Sequence, residues 1–130
     1  MKGTLRTRRH FQRVYENGRK AVGTSCVVYA YSPQPEEIAS VGHCAVGVVA
    51  SRKVGNAVRR NRAKRFLREA YRALSARLIE PIWIVLIARS TLADPDTSSQ
   101  DLLEELRQLL VRLGVLRDDA DEAKRGELPC

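Results

Sequence analysis

The chain has 130 residues, enough for one domain with a modest core and too few for two full ones. Hydrophobic residues make up 44% of it, which argues against a largely disordered chain, and no apolar run reaches the roughly 18–20 residues needed to span a bilayer. The formal net charge is +8, from 23 Lys and Arg against 15 Asp and Glu.

That charge is concentrated in one part of the chain. Residues 1–77 hold 17 basic and 4 acidic side chains, whereas residues 78–130 hold 6 basic and 11 acidic ones. A strongly basic part favours a polyanionic partner, because each neutralised phosphate releases condensed counterions. The N-terminus lacks the apolar stretch of a signal peptide, so we expect a cytoplasmic protein. The three cysteines are widely spaced and form no CxxC pair, so we expect neither a disulfide framework nor a zinc site. We also expect no protein-bound metal or cofactor.

The first predicted element is a helix over Leu5–Asn17. Thr7 is a suitable N-cap, and Gly18 follows the last helical residue. Within it, Phe11 and Tyr15 are spaced four residues apart and therefore lie on one face.

Two long strand candidates follow. Ala21–Tyr31 is rich in β-branched and aromatic residues, and its alternation places Tyr29 and Tyr31 on one face. The proline-containing segment at residues 32–37 is predicted to be a loop. His43–Ala50 is the second candidate, and its glycines leave open a bulge or an earlier boundary.

The strongest helix pattern runs from Asn56 to about Arg77. Its predicted core face consists of Ala63, Phe66, Leu67, Ala70 and Leu74. Nine of the 21 positions in residues 52–72 are Arg or Lys, and only Glu69 is acidic. Like charges this close repel one another by a few tenths of a kcal/mol per pair, which phosphates would relieve. Arginine predominates, as suits bidentate phosphate contacts and stacking on bases, so the helix indicates nucleic-acid binding.

The remaining elements are a strand and a helix. Residues 81–88 form a continuous apolar run, typical of a central strand covered on both faces. Asp94–Asp96 is predicted to be a loop, and Thr97 with Gln100 has the spacing of a capping box. The helix that follows carries a leucine face ended by Gly114.

The predicted order is helix, two or three strands, basic helix, strand, helix. This order indicates an α/β sandwich of the α+β kind, with helices packed on one central mixed sheet. We assign residues 1–116 to a single domain and residues 117–130 to a polar, mobile tail.

Residues 55–72 read GNAVRRNRAKRFLREAYR, and this run resembles the signature helix of the bacterial ribonuclease P protein family, with its Arg-Asn-Arg core at residues 60–62. The resemblance extends to residues 46–54, to Phe11–Tyr15 with Gly18, and to the strand ending at Arg89. It covers about 110 of the 130 residues in the same order.

The resemblance implies a ribonucleoprotein endonuclease that removes the 5′ leader from precursor tRNA. It implies that the RNA subunit carries the catalytic Mg²⁺ ions, so no protein side chain is expected to be catalytic. The basic helix and its adjoining loop would bind the catalytic RNA through Arg52, Lys53, Asn56, Arg60, Asn61, Arg62, Lys64, Arg65 and Arg68. A cleft between the first helix and the sheet would hold the single-stranded leader of precursor tRNA through Phe11, Tyr15 and Tyr29. The family fold also implies a left-handed βαβ crossover through the basic helix, against the usual right-handed rule.

Aromatic side chains beside positive charge suit this role independently, since stacking accepts any base. Ordinary core packing remains an alternative for Phe11.

Two other functions remain as alternatives. A protein nuclease could use His10 and His43 as an acid–base pair with Lys53 nearby. A general RNA-binding or ribosomal protein would share the basic helix, although such proteins carry basic tails and this tail is acidic. A DNA-binding helix-turn-helix fits less well, because strands flank the basic helix. We expect neither a membrane nor an obligate protein partner.

Overall fold

The computed structural model describes residues 2–93 and 97–117. Its strands are β1 (Lys2–Thr4), β2 (Arg19–Val22), β3 (Cys26–Tyr31), β4 (Cys44–Val49) and β5 (Ile82–Ala88). Its α-helices are α1 (Arg8–Asn17), α2 (Pro35–Val41), α3 (Ala57–Leu74) and α4 (Ser99–Arg112).

The five strands form one mixed sheet in the order β1-β4-β5-β3-β2. β4 pairs in parallel with β1 and with β5, whereas β3 is antiparallel to β5 and to β2. α3 therefore connects two neighbouring parallel strands, β4 and β5, in a βαβ unit. The predicted α+β sandwich with one mixed sheet is confirmed.

β5 lies at the centre of the sheet and divides the core into two layers. Ile82, Ile84 and Leu86 pack in the layer that contains α3 and α4. Trp83 and Val85 point to the other face, where they pack with Val14 of α1. A strand buried on both faces reads as a continuous apolar run, which is why β5 was predictable from its sequence.

α1 is shorter than the predicted helix. Thr7 is its N-cap, as expected, and its side chain accepts a hydrogen bond from the His10 amide (3.3 Å). Leu5 does not belong to the helix, because its amide donates to the Val46 carbonyl (3.0 Å) and extends the pairing of β1 with β4. Burial of Leu5 against the sheet holds the chain in this extended form.

The single strand predicted over residues 21–31 is wrong, since the segment belongs to a β-hairpin. Arg19 pairs with Ala30 and Val22 with Val27, and the Gly23 amide donates to the Cys26 carbonyl (2.8 Å) at the turn. The predicted alternation is confirmed, because Tyr29 and Tyr31 face α1.

The predicted loop at residues 32–37 is correct only for its first three residues, because α2 begins at Pro35. Gln34 is the N-cap, and a capping box joins it to Glu37. Proline has no backbone N–H, but the N–H at the first helical position has no hydrogen-bond partner within the helix. Proline is therefore compatible with a helix start.

α4 is capped by Ser98, whose hydroxyl accepts from the Asp101 amide (3.0 Å), and not by Thr97. The Thr97 hydroxyl instead donates to the Thr91 carbonyl (3.0 Å). Gly114, with φ +74°, follows the helix as predicted. The predicted loop at 94–96 and the tail beyond Arg117 lie outside the described residues. No helix in the described ranges is long and apolar enough to cross a membrane.

Candidate nucleic-acid interface

The approach to α3 is a short 3-10 turn over Arg52–Val54. Val54 is buried in the core and anchors the turn, which leaves Arg52 and Lys53 exposed. Gly55 then turns the chain into the helix with φ +141°, a conformation that side chains with a Cβ rarely adopt.

Asn56 is the N-cap of α3, where its side-chain oxygen accepts from the Arg59 amide (3.0 Å). This cap is one of the predicted RNA-binding residues, and the structure gives it a defined structural role. Substitution of Asn56 would therefore alter the start of the helix as well as any contact with a ligand.

α3 buries one face and exposes the charged one. Ala63, Leu67, Ala70 and Leu74 are buried, as predicted. Phe66 is only partly buried, and Tyr71 occupies a buried core position that the sequence pattern did not indicate. We call the exposed set below the basic face. Its members are Arg52, Lys53, Arg59, Asn61, Arg62, Arg65, Arg68 and Arg72.

Two predicted residues, Arg60 and Lys64, are partly buried at the border of the basic face. Nε of Arg60 is buried and has no hydrogen-bond partner among the described residues. Arg60 therefore contributes packing as well as charge, and its substitution would affect stability.

No carboxylate within the described ranges forms an ion pair with an arginine of α3. Arg62 and Arg65 instead place their guanidinium groups 5.2 and 5.6 Å from the centre of the Phe66 ring. These cation–π contacts orient two arginines without neutralising them. The basic face thus keeps its full charge available to a polyanion.

On the opposite side of the sheet, α1 places a row of aromatic rings. Phe11 and Tyr15 lie 6.3 Å apart between ring centres, and Tyr15 meets Tyr29 of β3 edge-on at 5.0 Å. We call this group the aromatic cleft. Partial burial raises the pKa of Tyr15, and nearby Tyr29 adds to the effect, so the phenol stays neutral at physiological pH. The structure thus brings the three predicted cleft residues together.

Lys20 is a cleft residue that sequence reasoning missed. Its Nζ lies 6.0 Å from the centre of the Tyr29 ring, directly across the hairpin. Only the hairpin register places a positive charge at this end of the aromatic row, and the sequence alone did not reveal the hairpin.

An apolar strip continues the cleft across four strands. Strand register aligns Val22 with Val27, Val27 with Ile87, and Ile87 with Val49. All four side chains share the face of Tyr29, because side chains alternate along a strand. Val22 is 47% exposed and the other three are partly exposed, so α1 leaves this row uncovered.

α1 is fixed over the sheet by a polar network on its far side. Arg13 donates to Glu37 (3.1 Å) and to the Tyr31 hydroxyl (2.9 Å), and that hydroxyl donates to Glu37. Partial burial raises the pKa of Glu37, but hydrogen bonds from Tyr31, the Gln34 amide and Arg13 together lower it further than burial raises it. The network joins α1, β3 and α2.

Of the residues in the alternative nuclease site, Lys53 lies away from His43. The His10 ring packs edge-on against Trp83 at 5.3 Å. His43 precedes β4, whereas Lys53 follows its other end. Six strand residues separate the two ends by about 20 Å, so Lys53 cannot assist His43.

Comparison with protein families finds a match to the Ribonuclease P model over residues 1–114. The chain is also similar to the ribonuclease P protein component of Symbiobacterium thermophilum, with 39% identity over 87% of this chain and 92% of that protein. Similarity to the corresponding protein of Exiguobacterium sibiricum is 34% over 82% of this chain and 86% of the relative.

The chain is also similar to solved structures of RNase P proteins. The Staphylococcus aureus RNase P protein superposes with a TM-score of 0.72 at 26% identity, covering 88% of this chain and 97% of that one. The Thermotoga maritima RNase P protein superposes with a TM-score of 0.71 at 29% identity, covering 84% and 96%.

Proposed function

The chain belongs to the ribonuclease P protein family and is a component of the endoribonuclease that processes the 5′ leaders of precursor tRNA; on that basis we propose that it binds two RNA elements on opposite sides of its sheet. The observation that carries this proposal is the separation of an unneutralised basic face on α3 from an aromatic cleft beneath α1.

The α3 side of the molecule binds the catalytic RNA. Exposed arginines without acidic partners among the described residues attract phosphates, and their planar groups suit bidentate contacts. The binding residues are Arg52, Lys53, Asn56, Arg60, Asn61, Arg62, Lys64, Arg65 and Arg68.

The aromatic cleft binds the single-stranded 5′ leader of precursor tRNA. Phe11, Tyr15 and Tyr29 offer rings on which bases of any sequence can stack. Lys20 supplies a charge for the leader backbone at one end of the row. The apolar strip extends the surface over which an extended strand can lie.

The RNA subunit and its Mg²⁺ ions catalyse the cleavage, and no protein side chain is assigned a catalytic role. The protein positions the leader and the catalytic RNA relative to each other. We also propose that the β4–α3–β5 crossover is left-handed, as the family resemblance implies.

The central test is cleavage of precursor tRNA by the cognate catalytic RNA, with and without this protein, at near-physiological magnesium. We expect strong stimulation by the protein and no cleavage by the protein alone. Tight RNA binding without stimulation would favour a general RNA-binding protein. Cleavage by the protein alone would favour the His10 and His43 nuclease.

The cleft assignment predicts a loss of selectivity for precursor over mature tRNA. Because base stacking contributes about 1–3 kcal/mol per base, Tyr15→Ala or Tyr29→Ala should each reduce the ratio of affinities roughly tenfold. Tyr15→Phe is the matched control, since it keeps the ring and should keep the selectivity. An unchanged ratio in both alanine variants would contradict the assignment.

A further inference from the structure

A pocket of about 430 Å³ lies between the C-terminal half of α3 and the edge of the sheet. We call it the edge pocket. Its lining residues are Thr4, Leu5, Val46, Val48, Arg68, Tyr71 and Arg72. Its volume falls within the range of sites for small ligands.

The edge pocket exists because β1 is shorter than β4. β1 ends at Thr4, which pairs with Val46, and the Leu5 amide makes the last hydrogen bond along this edge. The carbonyl of Val46 points towards β1, where it accepts from the Leu5 amide. In a parallel sheet every second residue directs its N–H and C=O to the same side, so those of Val48 also point towards this edge. β1 has ended at that point and does not pair with Val48. The pocket wall therefore offers a backbone donor and acceptor beside an apolar surface.

The opposite wall carries two positive charges. Arg68 and Arg72 are exposed, lie four residues apart on α3 and make no ion pair within the described ranges. Like charges at this spacing destabilise a helix slightly, so an anion between them is favourable. Both belong to the basic face, and the pocket is therefore continuous with it.

Tyr71 also lines the pocket. The residue is 6% exposed, and its hydroxyl has no hydrogen-bond partner among the described residues. Burial raises the pKa of Tyr71 to about 12, so the group stays neutral and can donate a hydrogen bond.

We propose that the edge pocket holds one unstacked nucleotide of the catalytic RNA, with its base against Val46 and Val48 and its phosphate between Arg68 and Arg72. The inference rests on the proposed binding of that RNA by α3 and adds a specific nucleotide site to it. An apolar wall, a neutral donor, an open strand edge and a pair of arginines together match a base with its phosphate. RNA loops and bulges present such splayed bases, whereas a regular duplex does not.

The test fills the pocket without changing its charge. Thr4 is exposed at the pocket edge, so Thr4→Trp introduces a large ring there at little cost to the fold. Val48→Phe fills the pocket from the sheet side, and Val111→Trp places an equal bulk on the exposed surface of α4 as a control. Each full-length variant is checked by thermal unfolding, and its affinity for the catalytic RNA is measured at several salt concentrations.

We expect Thr4→Trp and Val48→Phe to weaken binding about tenfold or more and to lower the slope of log K against log salt by no more than about one, since a single phosphate leaves with the nucleotide. Val111→Trp should bind normally. Arg72→Gln should lower the slope of log K against log salt by about one, because one phosphate contact is lost. Arg112→Gln, an equal charge change on α4, should leave the slope unchanged.

The inference is overturned if both pocket-filling variants bind the catalytic RNA within about twofold of the unmodified protein. It is also overturned if they reduce only the preference for precursor over mature tRNA, since the leader would then occupy the pocket. The double variant Arg62→Gln with Arg65→Gln distinguishes failure of the edge pocket from failure of the proposed RNA binding by α3. If that pair weakens binding and the pocket-filling variants do not, the edge pocket fails and the proposed function stands. If that pair also has no effect, the proposed function of α3 fails.

Discussion

The position of Phe11 depends on a single glycine in β4. A Cβ added at Gly47 would lie 2.6 Å from two atoms of the Phe11 ring, closer than real contacts allow. We predict that Gly47→Ala displaces Phe11 and destabilises the protein by about 1–3 kcal/mol, as overpacking does. Urea unfolding measures this change, and the ratio of precursor to mature tRNA affinity should fall with it.

A second substitution tests this cause. In the double variant Gly47→Ala with Phe11→Leu, the smaller side chain makes room for the added methyl group. Stability should recover in part, whereas leader selectivity should not, because the ring is gone. A Gly47→Ala protein that unfolds like the unmodified one would show that the β4 backbone moves to accommodate the methyl group.

Residue-level prediction succeeded where local spacing was sufficient. Phe11 and Tyr15 fall four residues apart on one helix, so their shared face followed from the sequence. Lys20 and Ile87 lie on the same surface because of strand register. Register depends on pairing between separate segments of the chain, so the sequence alone did not place these two residues there. Tyr71 was missed because the buried face of α3 is wider than the predicted arc from Ala63 to Leu74.

At the scale of an element, α3 should make the affinity for RNA strongly dependent on salt. Each neutralised phosphate contributes about 0.9 to the slope of log K against log salt. Arg62→Gln with Arg65→Gln should therefore reduce the slope by about two, and both side chains are exposed, so stability should change little. Arg60 is a poor choice for this test, because its side chain is partly buried. A slope near zero for the unmodified protein would exclude phosphate-dominated binding.

The attachment of α1 to α2 predicts a particular response to acid. Hydrogen bonds lower the pKa of Glu37 below its ordinary value of 4.5, despite partial burial. The stabilisation that the Glu37 carboxylate provides is therefore complete above pH 4.5, the ordinary pKa. It is lost as the pH falls through the lowered pKa of Glu37 in the folded protein. Glu37→Gln should lower the free energy of unfolding by about 1 kcal/mol at pH 7, a modest effect because Arg13 is partly exposed. The variant should also lose less stability than the unmodified protein between neutral and acidic pH.

Urea unfolding at neutral pH and below pH 4 measures the effect of Glu37→Gln. Glu36→Gln is the matched control, since the neighbouring carboxylate is exposed and lies outside the network. Equal acid sensitivity in both variants would assign the response to other carboxylates.

Elements were predictable where hydrophobic periodicity was long, as in α3, α4 and β5. β1 has three residues and gains its stability from parallel pairing with β4, about 40 positions away, which no local pattern reveals. α2 did carry a usable signal, since Pro35 and Glu37 fit the first turn of a helix. The two prolines in residues 32–37 were instead interpreted as loop formers.

At the scale of the whole molecule, the sheet separates the two proposed RNA-binding surfaces. Alternate residues of β5 face opposite sides, so Ile84 packs with the α3 layer while Val85 packs beneath α1. Sites more than about 7–10 Å apart without shared partners usually act independently. On the proposed assignment, the catalytic RNA and the leader would therefore bind at the same time without competing for the same surface.

This separation predicts independent losses on the two surfaces. Tyr29→Ala should leave the affinity for catalytic RNA within about twofold of the unmodified protein, because the cleft lies on the other face. Arg62→Gln with Arg65→Gln, assayed at saturating protein, should leave the precursor-to-mature ratio equally unchanged. Tyr15→Ala and Tyr29→Ala should by contrast be non-additive, since their rings touch at 5.0 Å. If the α3 variants altered leader selectivity at saturation, the two surfaces would be coupled through the sheet, and the catalytic RNA would then influence how the cleft holds the leader.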